Sequence, residues 1–254
     1  MLRLENRWIW DSWYVFDGTR HHAFYLSADR SLVDPELRHR HPIIGHAVSE
    51  DLWNWEVLPD ALAPSEEPAF DSWTTWTGSV IQAEDGLWWM FYTGTTRDDG
   101  GDIQRIGAAT SKDLMTWEKL STNALLDAGV EHYELLDYQK WHDQAFRDPW
   151  VFKHSDGIWH MLITARATSG EKYSRGVVGH ATSSDLRNWE LHPAITEPNA
   201  GFGQLEVTQV EEIDGVPTLI WCCGYSELSQ EAQAKYGAGG MFSVTGQSLS
   251  LIHI

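Results

Sequence analysis

A repeated pattern limits the folds open to this chain more than any other feature. The segment Gly-x-Ala-x-Ser-x-Asp-Leu-x-x-Trp-Glu occurs at residues 45–56, 107–118 and 179–190, with seven positions identical in all three copies. Each copy reads as a strand, a turn built on Ser-x-Asp-Leu and a second strand that opens at Trp-Glu. Such self-similarity indicates a repeat architecture in which one supersecondary unit recurs along the chain.

An Asp-Gly pair accompanies each unit and is the short-range mark of a β-hairpin. The pairs are Asp17-Gly18, Asp85-Gly86, Asp156-Gly157 and Asp214-Gly215. An apolar run follows each pair, so each unit holds two hairpins and therefore four strands. Four-stranded units that recur at this spacing are typical of β-propeller blades. The sequence thus predicts an all-β fold with blades at about residues 7–58, 74–120, 146–192 and 205–246.

The fourth unit breaks off before a further Ser-x-Asp-Leu turn. We therefore expect a five-bladed β-propeller that lacks its fifth blade and the end of its fourth, with residues 1–248 forming a single domain. Residues 249–254 match the in-frame translation of a common sequencing adapter, and we interpret them as a non-native tail.

The net charge and the number of tryptophans restrict the kinds of molecule that the protein can bind. Eighteen Lys and Arg stand against 37 Asp and Glu, a net charge of −19, which repels phosphate backbones and anionic membranes. A neutral sugar is compatible with this charge, and some of the fifteen Trp offer faces on which a sugar ring stacks. No signal peptide or transmembrane run is apparent, which predicts a cytoplasmic protein, or a secreted one if the N-terminus is incomplete.

Three carboxylates stand near the start of the first strand of three units. They are Asp11, Asp148 and Glu206, and each lies six or eight residues before the Asp-Gly pair of its unit. The first strand of a blade lines the central channel, so these side chains are predicted to share one axial pocket. Two carboxylates on either side of a glycosidic bond are the groups that hydrolyse it.

Three motifs in the same order resemble those of the five-bladed fructosidase clan, the glycoside hydrolase family 68 levansucrases and the family 32 invertases. The motifs are Trp10-Asp11-Ser12-Trp13, Trp76-Thr77-Gly78-Ser79 and Phe146-Arg147-Asp148-Pro149. The resemblance implies a retaining glycosidase that cleaves β-fructofuranosidic bonds of sucrose or fructans, with fructosyl transfer as a further activity.

The resemblance also implies a role for each site residue. Asp11 becomes the nucleophile, Asp148 the transition-state stabiliser and Glu206 the general acid/base. The substrate-binding residues become Trp10, Trp76, Thr77, Ser79, Arg147 and Gln204. The departure is Val207 after Glu206, where family 32 usually has Cys and family 68 usually Arg.

Two other functions remain open from the sequence. One is an inverting family 43-type arabinan or xylan hydrolase, which shares the fold and a carboxylate triad. The other is a non-catalytic sugar-binding propeller. We expect no metal ion and no organic cofactor, because His21-His22 and His39 with His41 lack a ligand pattern and are predicted to decorate rim loops. The sequence makes no prediction of oligomeric state.

Overall fold

The repeated turn has a local physical cause, which is visible in a computed structural model that describes residues 2–246. In the first copy, one carboxylate oxygen of Asp51 accepts the backbone N–H groups of Trp53 and Asn54 at 2.9 and 2.8 Å. The backbone of Leu52 has a φ of 63°, and the indole N–H of Trp55 donates to the Leu52 carbonyl at 3.1 Å. The same bonds recur around Asp113 and Asp185. The Asp, Leu and Trp that recur in the repeat are therefore the residues whose hydrogen bonds close the turn between two strands.

The first compact unit contains blades one and two and extends to Leu125, without Asp102–Gln104. Each blade is an antiparallel sheet whose strands follow the chain order. Blade one consists of β1 (Arg7–Phe16), β2 (His21–Asp29), β3 (Ile43–Ser49) and β4 (Glu56–Leu62). Blade two consists of β5 (Thr74–Gln82), β6 (Trp88–Thr95), β7 (Arg105–Ser111) and β8 (Glu118–Lys119). Two short 3-10 helices, Arg30–Leu32 and Pro35–Arg40, connect β2 to β3.

The second compact unit contains blades three and four together with Asp102–Gln104. Blade three consists of β9 (Phe146–Lys153), β10 (Trp159–Arg166), β11 (Gly176–Ser183) and β12 (Glu190–His192). Within the described residues, blade four consists of β13 (Glu206–Ile213), β14 (Val216–Cys223) and β15 (Gly240–Thr245). The remaining elements are the 3-10 helices Lys172–Ser174 and Tyr225–Glu227 and the α-helix α1 (Gln230–Tyr236).

Each unit has its own hydrophobic core. In the first unit, Phe24, Met90 and Tyr92 are completely buried and pack with aliphatic side chains of both blades. In the second unit, Leu162 of β10 and Leu219 of β14 belong to a separate core cluster. The second strand of each of the first three blades supplies most of these side chains, because β2, β6 and β10 are buried along nearly their whole length.

The all-β fold class and the four blade-type sheets are confirmed for the described residues. The sheets run over 7–62, 74–119, 146–192 and 206–245, close to the blade spans given above. The missing fifth blade stays a prediction, and the proposed tail at 249–254 lies outside the described residues. None of the helices among residues 2–246 has the length and apolar character to cross a membrane.

Candidate active site

A β-bulge interrupts the first strand of each described sheet, and seven of the nine predicted site residues lie at or beside these bulges. In β1, Trp10 pairs with Leu26 and Ser12 with Tyr25, so Asp11 is the extra residue, with a φ of 32°. In β5 the extra residue is Thr77, between Trp76 and Gly78. A bulge turns a side chain out of the regular alternation of a strand, and bulges are frequent next to active sites.

The second unit repeats this arrangement. In β9, Asp148 and Pro149 together lie between the Arg147 and Trp150 pairs, and Asp148 has a φ of 57°. Pro149 has no N–H to donate to a ladder, which suits a bulge. In β13 the bulge falls between Glu206 and Gln209, and Val207 has a φ of 51°.

This register corrects the expectation that the three carboxylates occupy equivalent positions. Asp11 and Asp148 are bulge residues, and Val207 is the matching residue of β13. Glu206 precedes its bulge by one residue, the position that Arg147 holds in β9. Because neighbouring strand residues point to opposite faces unless a bulge intervenes, this offset gives Glu206 a different orientation from the two aspartates.

The site residues of the first unit centre on Asp11. The hydroxyl of the buried Thr77 donates to Asp11 Oδ2 at 2.6 Å, while the Asp11 residue itself is exposed. Trp10 and Trp76 are partly exposed, and the indole N–H of Trp76 donates to the His39 carbonyl at 2.9 Å. Ser79 is only 1% exposed and lies inside the β5–β6 ladder. An exposed carboxylate and two partly exposed indoles in the same unit are groups that suit a sugar.

Gly78 explains how β5 accommodates its bulge. A Cβ at this position would lie 1.9 Å from the carbonyl oxygen of Phe91 in β6. Any other residue would therefore push the two strands apart next to Thr77, which holds the Asp11 carboxylate.

The site residues of the second unit centre on the guanidinium of Arg147, which is almost entirely buried. Its Nη2 donates to Glu206 Oε1 at 2.5 Å and to the side-chain oxygen of Gln204. Its Nη1 donates to Gln104 Oε1 at 3.0 Å and to Asp143 Oδ2 at 3.4 Å. Its Nε lies 3.6 Å from Asp148 Oδ2. One cation thus joins groups from β9, β13 and three loops.

Charge balance keeps Arg147 protonated. Burial by itself lowers the pKa of Arg147, but the carboxylates of Glu206, Asp143 and Asp148 outweigh it, so the net shift is upward. Three acidic side chains face one guanidinium in this cluster, so the acidic groups outnumber the cation. A negative surrounding stabilises the positive charge that develops on a sugar ring during glycosidic cleavage.

Fixed donors orient the Asp148 carboxylate. Its Oδ2 accepts the hydroxyl of Thr164 at 2.9 Å and the backbone N–H of Val207 at 3.1 Å. The Val207 N–H reaches it from β13, so the bulge of blade four contributes directly to the position of a carboxylate in blade three. Such preorganised bonds avoid reorientation during a reaction.

Three residues of this site were missed by the sequence reasoning. Gln104 accepts from the Arg147 guanidinium and donates to Asp143 Oδ2 at 2.7 Å. Burial, followed by the charge of Glu206, raises the pKa of Glu227 to about 7. Asp143 and Gln104 lie in loops and Glu227 ends the 3-10 helix Tyr225–Glu227, and none of the three belongs to a motif that could have indicated it.

The fold and the site residues together define the class of protein: an all-β protein of propeller-type blades that carries carboxylates and an arginine on its bulged first strands. The family comparison narrows this class. The model of the glycosyl hydrolases family 32 N-terminal domain matches residues 11–250. The chain therefore belongs to glycoside hydrolase family 32, which confirms the resemblance to the fructosidase clan.

Curated relatives and solved structures agree with this membership. The chain is 32% identical over 163 residues to the sucrose-6-phosphate hydrolase of Bacillus subtilis, covering 64% of this chain and 29% of that protein. It is 31% identical over 192 residues to the raffinose invertase of Escherichia coli, covering 74% and 35%. This chain spans about a third or less of the length of the curated relatives it matches.

The fold likeness extends to solved structures of an inulosucrase and a levansucrase. The inulosucrase of Halalkalicoccus jeotgali bound to kestose aligns with a TM-score of 0.75 at 23% identity, covering 97% of this chain and 66% of that one. The Bacillus subtilis levansucrase aligns with a TM-score of 0.73 at 16% identity, covering 96% and 69%. At these identities the likeness concerns the fold.

Proposed function

We propose that the protein is a retaining glycoside hydrolase that cleaves β-fructofuranosidic bonds of sucrose or fructans, with transfer of the fructosyl group to a second sugar as a side reaction. The observation that carries the proposal is the Arg147 cluster, in which Glu206 and Asp148 are held by one buried cation in a chain of family 32. The names of the relatives and the sugar in the kestose complex support the substrate class.

In the first step, Asp11 attacks the anomeric carbon of the fructosyl unit while Glu206 donates a proton to the leaving oxygen. The C–O bond to the leaving group breaks as the bond to the Asp11 carboxylate forms. The Thr77 hydroxyl donates to Asp11 Oδ2 and so orients the attacking carboxylate. This mechanism requires the carboxyl groups of Asp11 and Glu206 to be about 5–5.5 Å apart.

In the second step, ionised Glu206 accepts a proton from water or a sugar hydroxyl, which then releases the fructosyl group from Asp11. Asp148 binds hydroxyls of the ring and, with its charge, stabilises the oxocarbenium-like transition state. Trp10 and Trp76 provide apolar faces for the sugar ring, and Gln204 fixes Arg147.

The proposal is tested by measuring fructose release from sucrose, raffinose, kestose and inulin by the wild-type chain and three variants. We expect Asp11→Asn to abolish release and Asp148→Asn to lower kcat by about a thousandfold, because its contacts strengthen in the transition state. We expect Glu206→Gln to lose sucrose cleavage but to retain cleavage of a fructoside whose leaving group needs no proton. Glu212→Gln, an exposed carboxylate on the same strand, serves as the matched control and should keep wild-type rates.

Two measurements separate the proposal from its rivals. The NMR spectrum of the first product anomer should show retention, and a fructosyl adduct on Asp11 should be detectable by mass spectrometry. Inversion with turnover of arabinan or xylan would favour the family 43-type activity. Sugar binding without turnover of any donor would favour a non-catalytic binding protein. Fructose release by the Asp11→Asn variant would exclude Asp11 as the nucleophile.

A further inference from the structure

The β9–β10 hairpin of blade three gathers three metal-binding side chains at its turn. His154 follows β9, Asp156 lies in the turn and His160 lies in β10. Their ligand atoms all lie within 4.8 Å of one another. Asp148 is six residues before His154, about 20 Å along an extended chain, so the turn is at the far end of β9 from the Arg147 cluster.

The two distances from Asp156 are close to the edges of a tetrahedral coordination shell, and the two histidine nitrogens lie within 4.8 Å of each other. Asp156 Oδ2 lies 3.3 Å from His154 Nδ1 and 3.2 Å from His160 Nε2. Ligand atoms at bonds of about 2.0–2.1 Å in a tetrahedral site are separated by about 3.3–3.4 Å. A cation could therefore contact all three atoms with small side-chain movements.

The turn and its neighbours hold these side chains in place. Asp156 Oδ1 accepts the backbone N–H of Ile158 at 2.8 Å, which leaves Oδ2 directed at both histidines. His160 Nδ1 lies 3.0 Å from His180 Nε2, and the rings of the two histidines stack with centroids 5.1 Å apart. A histidine that binds a metal through one nitrogen commonly uses the other for such a bond.

Blade one contains a matching hydrogen-bonded series of one aspartate and two histidines, but it has no third metal-binding side chain. His22 Nε2 lies 3.0 Å from Asp17 Oδ2, and His22 Nδ1 lies 2.9 Å from His46 Nε2. This chain corrects the expectation for His22, which is a buried residue of β2 and does not decorate a rim loop. Among the described residues, the only group of three that meets the geometric criterion for a metal ion is that of blade three. His154 is the residue that distinguishes the two blades.

The hydrogen-bonded series Asp156–His160–His180 of blade three can place its ring protons in two ways. In one, His160 Nε2–H donates to Asp156 and His180 Nε2–H donates to His160 Nδ1. In the other, both rings carry their proton on Nδ1, His160 Nδ1–H donates to His180 Nε2, and the Nε2 lone pair of His160 faces Asp156. The second arrangement places two electron-rich atoms face to face and becomes favourable when a cation lies between them. Both rings remain neutral, so no proton is released by the change.

We propose that His154, Asp156 and His160 form a binding site for a first-row divalent transition-metal ion, with Zn²⁺ as the representative, which cross-links the two strands of the hairpin. Two imidazole nitrogens and one carboxylate oxygen suit Zn²⁺, Co²⁺ or Ni²⁺ and are a poor set for Ca²⁺ or Mg²⁺, which take mainly oxygen ligands. Asp156 is exposed and His154 partly exposed, so water reaches the fourth coordination position.

The test is a calorimetric titration of the full chain with ZnCl₂, together with the absorption spectrum of the Co²⁺-loaded chain and the melting temperature with and without Zn²⁺. We expect one tight Zn²⁺ per chain, a tetrahedral Co²⁺ spectrum and a melting temperature that rises with Zn²⁺, because the ion binds only the folded hairpin. His154→Ala and Asp156→Asn should each weaken Zn²⁺ binding by about tenfold or more. Neither substitution removes a buried side chain, so both variants should melt near the wild-type temperature without metal.

His21→Ala is the matched control, since it removes a histidine next to the corresponding chain of blade one without touching blade three. It should retain wild-type affinity and the Co²⁺ spectrum. Equal Zn²⁺ affinity in the wild-type, His154→Ala and Asp156→Asn chains would overturn the proposal, as would an octahedral Co²⁺ spectrum. Binding of Ca²⁺ with similar affinity would overturn the assignment to a transition metal.

Discussion

At the scale of single residues, Arg147 connects the strand geometry to the chemistry of the site. Its guanidinium is buried, and a lone buried charge costs several kcal/mol. Glu206, Asp143 and Asp148 compensate this charge, and Gln104 and Gln204 accept further N–H groups. Arg147 therefore fixes the positions of the carboxylates, and the carboxylates in turn make a buried arginine tolerable.

Glu227 is the residue of this site whose titration falls near neutral pH. Its pKa of about 7 exceeds the value of 4.5 in a model peptide, because burial and the nearby Glu206 disfavour its ionised form. Between pH 4.5 and 7, Glu227 therefore keeps its proton in the folded chain but has lost it in the unfolded chain. The resulting contribution to stability is complete below pH 4.5, decreases as the pH rises and is lost above pH 7.

We expect Glu227→Gln to remove this loss, because an amide of the same shape does not ionise. The free energy of unfolding of the variant relative to wild type should rise between pH 4.5 and 7 and then level off, with a total change of about 3 kcal/mol. Urea denaturation at half-unit pH intervals measures this difference. A difference that is constant with pH, or that grows toward acid, would contradict the assignment.

At the scale of elements, the repeated turn places leucine in an unusual backbone conformation. Leu52, Leu114 and Leu186 have φ values of 63°, 64° and 64°, a region that favours glycine. Their side chains differ in burial: Leu52 is 51% exposed, whereas Leu186 is 2% exposed. One backbone conformation is thus combined with two different packing environments.

This difference makes Leu52→Gly and Leu186→Gly a matched pair. For Leu52→Gly, relief of the backbone strain and the greater entropy of unfolded glycine oppose each other, so stability should stay within about 1 kcal/mol of wild type. For Leu186→Gly, the lost burial should reduce the free energy of unfolding by about 2–3 kcal/mol. Chemical denaturation of both variants measures the effect, and equal losses at the two positions would show that packing does not decide it.

At the scale of the whole molecule, the net charge of −19 produces self-repulsion that opposes the folded state. Salt screens this repulsion, with a Debye length of about 10 Å at 0.1 M and about 3 Å at 1 M. We therefore expect the melting temperature at pH 7 to rise by several degrees, roughly 3–6 °C, between 0.01 and 0.5 M NaCl.

The counter-effect of salt is to weaken exposed ion pairs such as that of Arg7 with Asp60, but such pairs contribute about 1 kcal/mol or less. Calorimetry at several NaCl concentrations measures the balance, and KCl should give the same curve because the effect is one of ionic strength. A melting temperature that falls with either salt would mean that the ion pairs outweigh the net repulsion.

The sequence alone was sufficient for the all-β class, the four sheets and the turns between their strands. The physical reason is that these features are local: Asp51 bonds to N–H groups two and three residues further on, and an Asp-Gly pair closes a hairpin between adjacent strands. Repetition made these local signals stronger, because the same residues occur at the same turn positions in three copies. The motifs around Asp11 and Asp148 were also readable, since each motif is contiguous.

Only the tertiary structure decided the register of the bulges and the membership of the Arg147 cluster. A bulge depends on which residue of the neighbouring strand is opposite, and this pairing placed Glu206 one residue away from the position equivalent to Asp11 and Asp148. Gln104 lies 43 residues before Arg147 and joins it through a loop without a motif. Local propensity determines turns and strands, whereas such long-range hydrogen bonds form only when packing brings distant segments together.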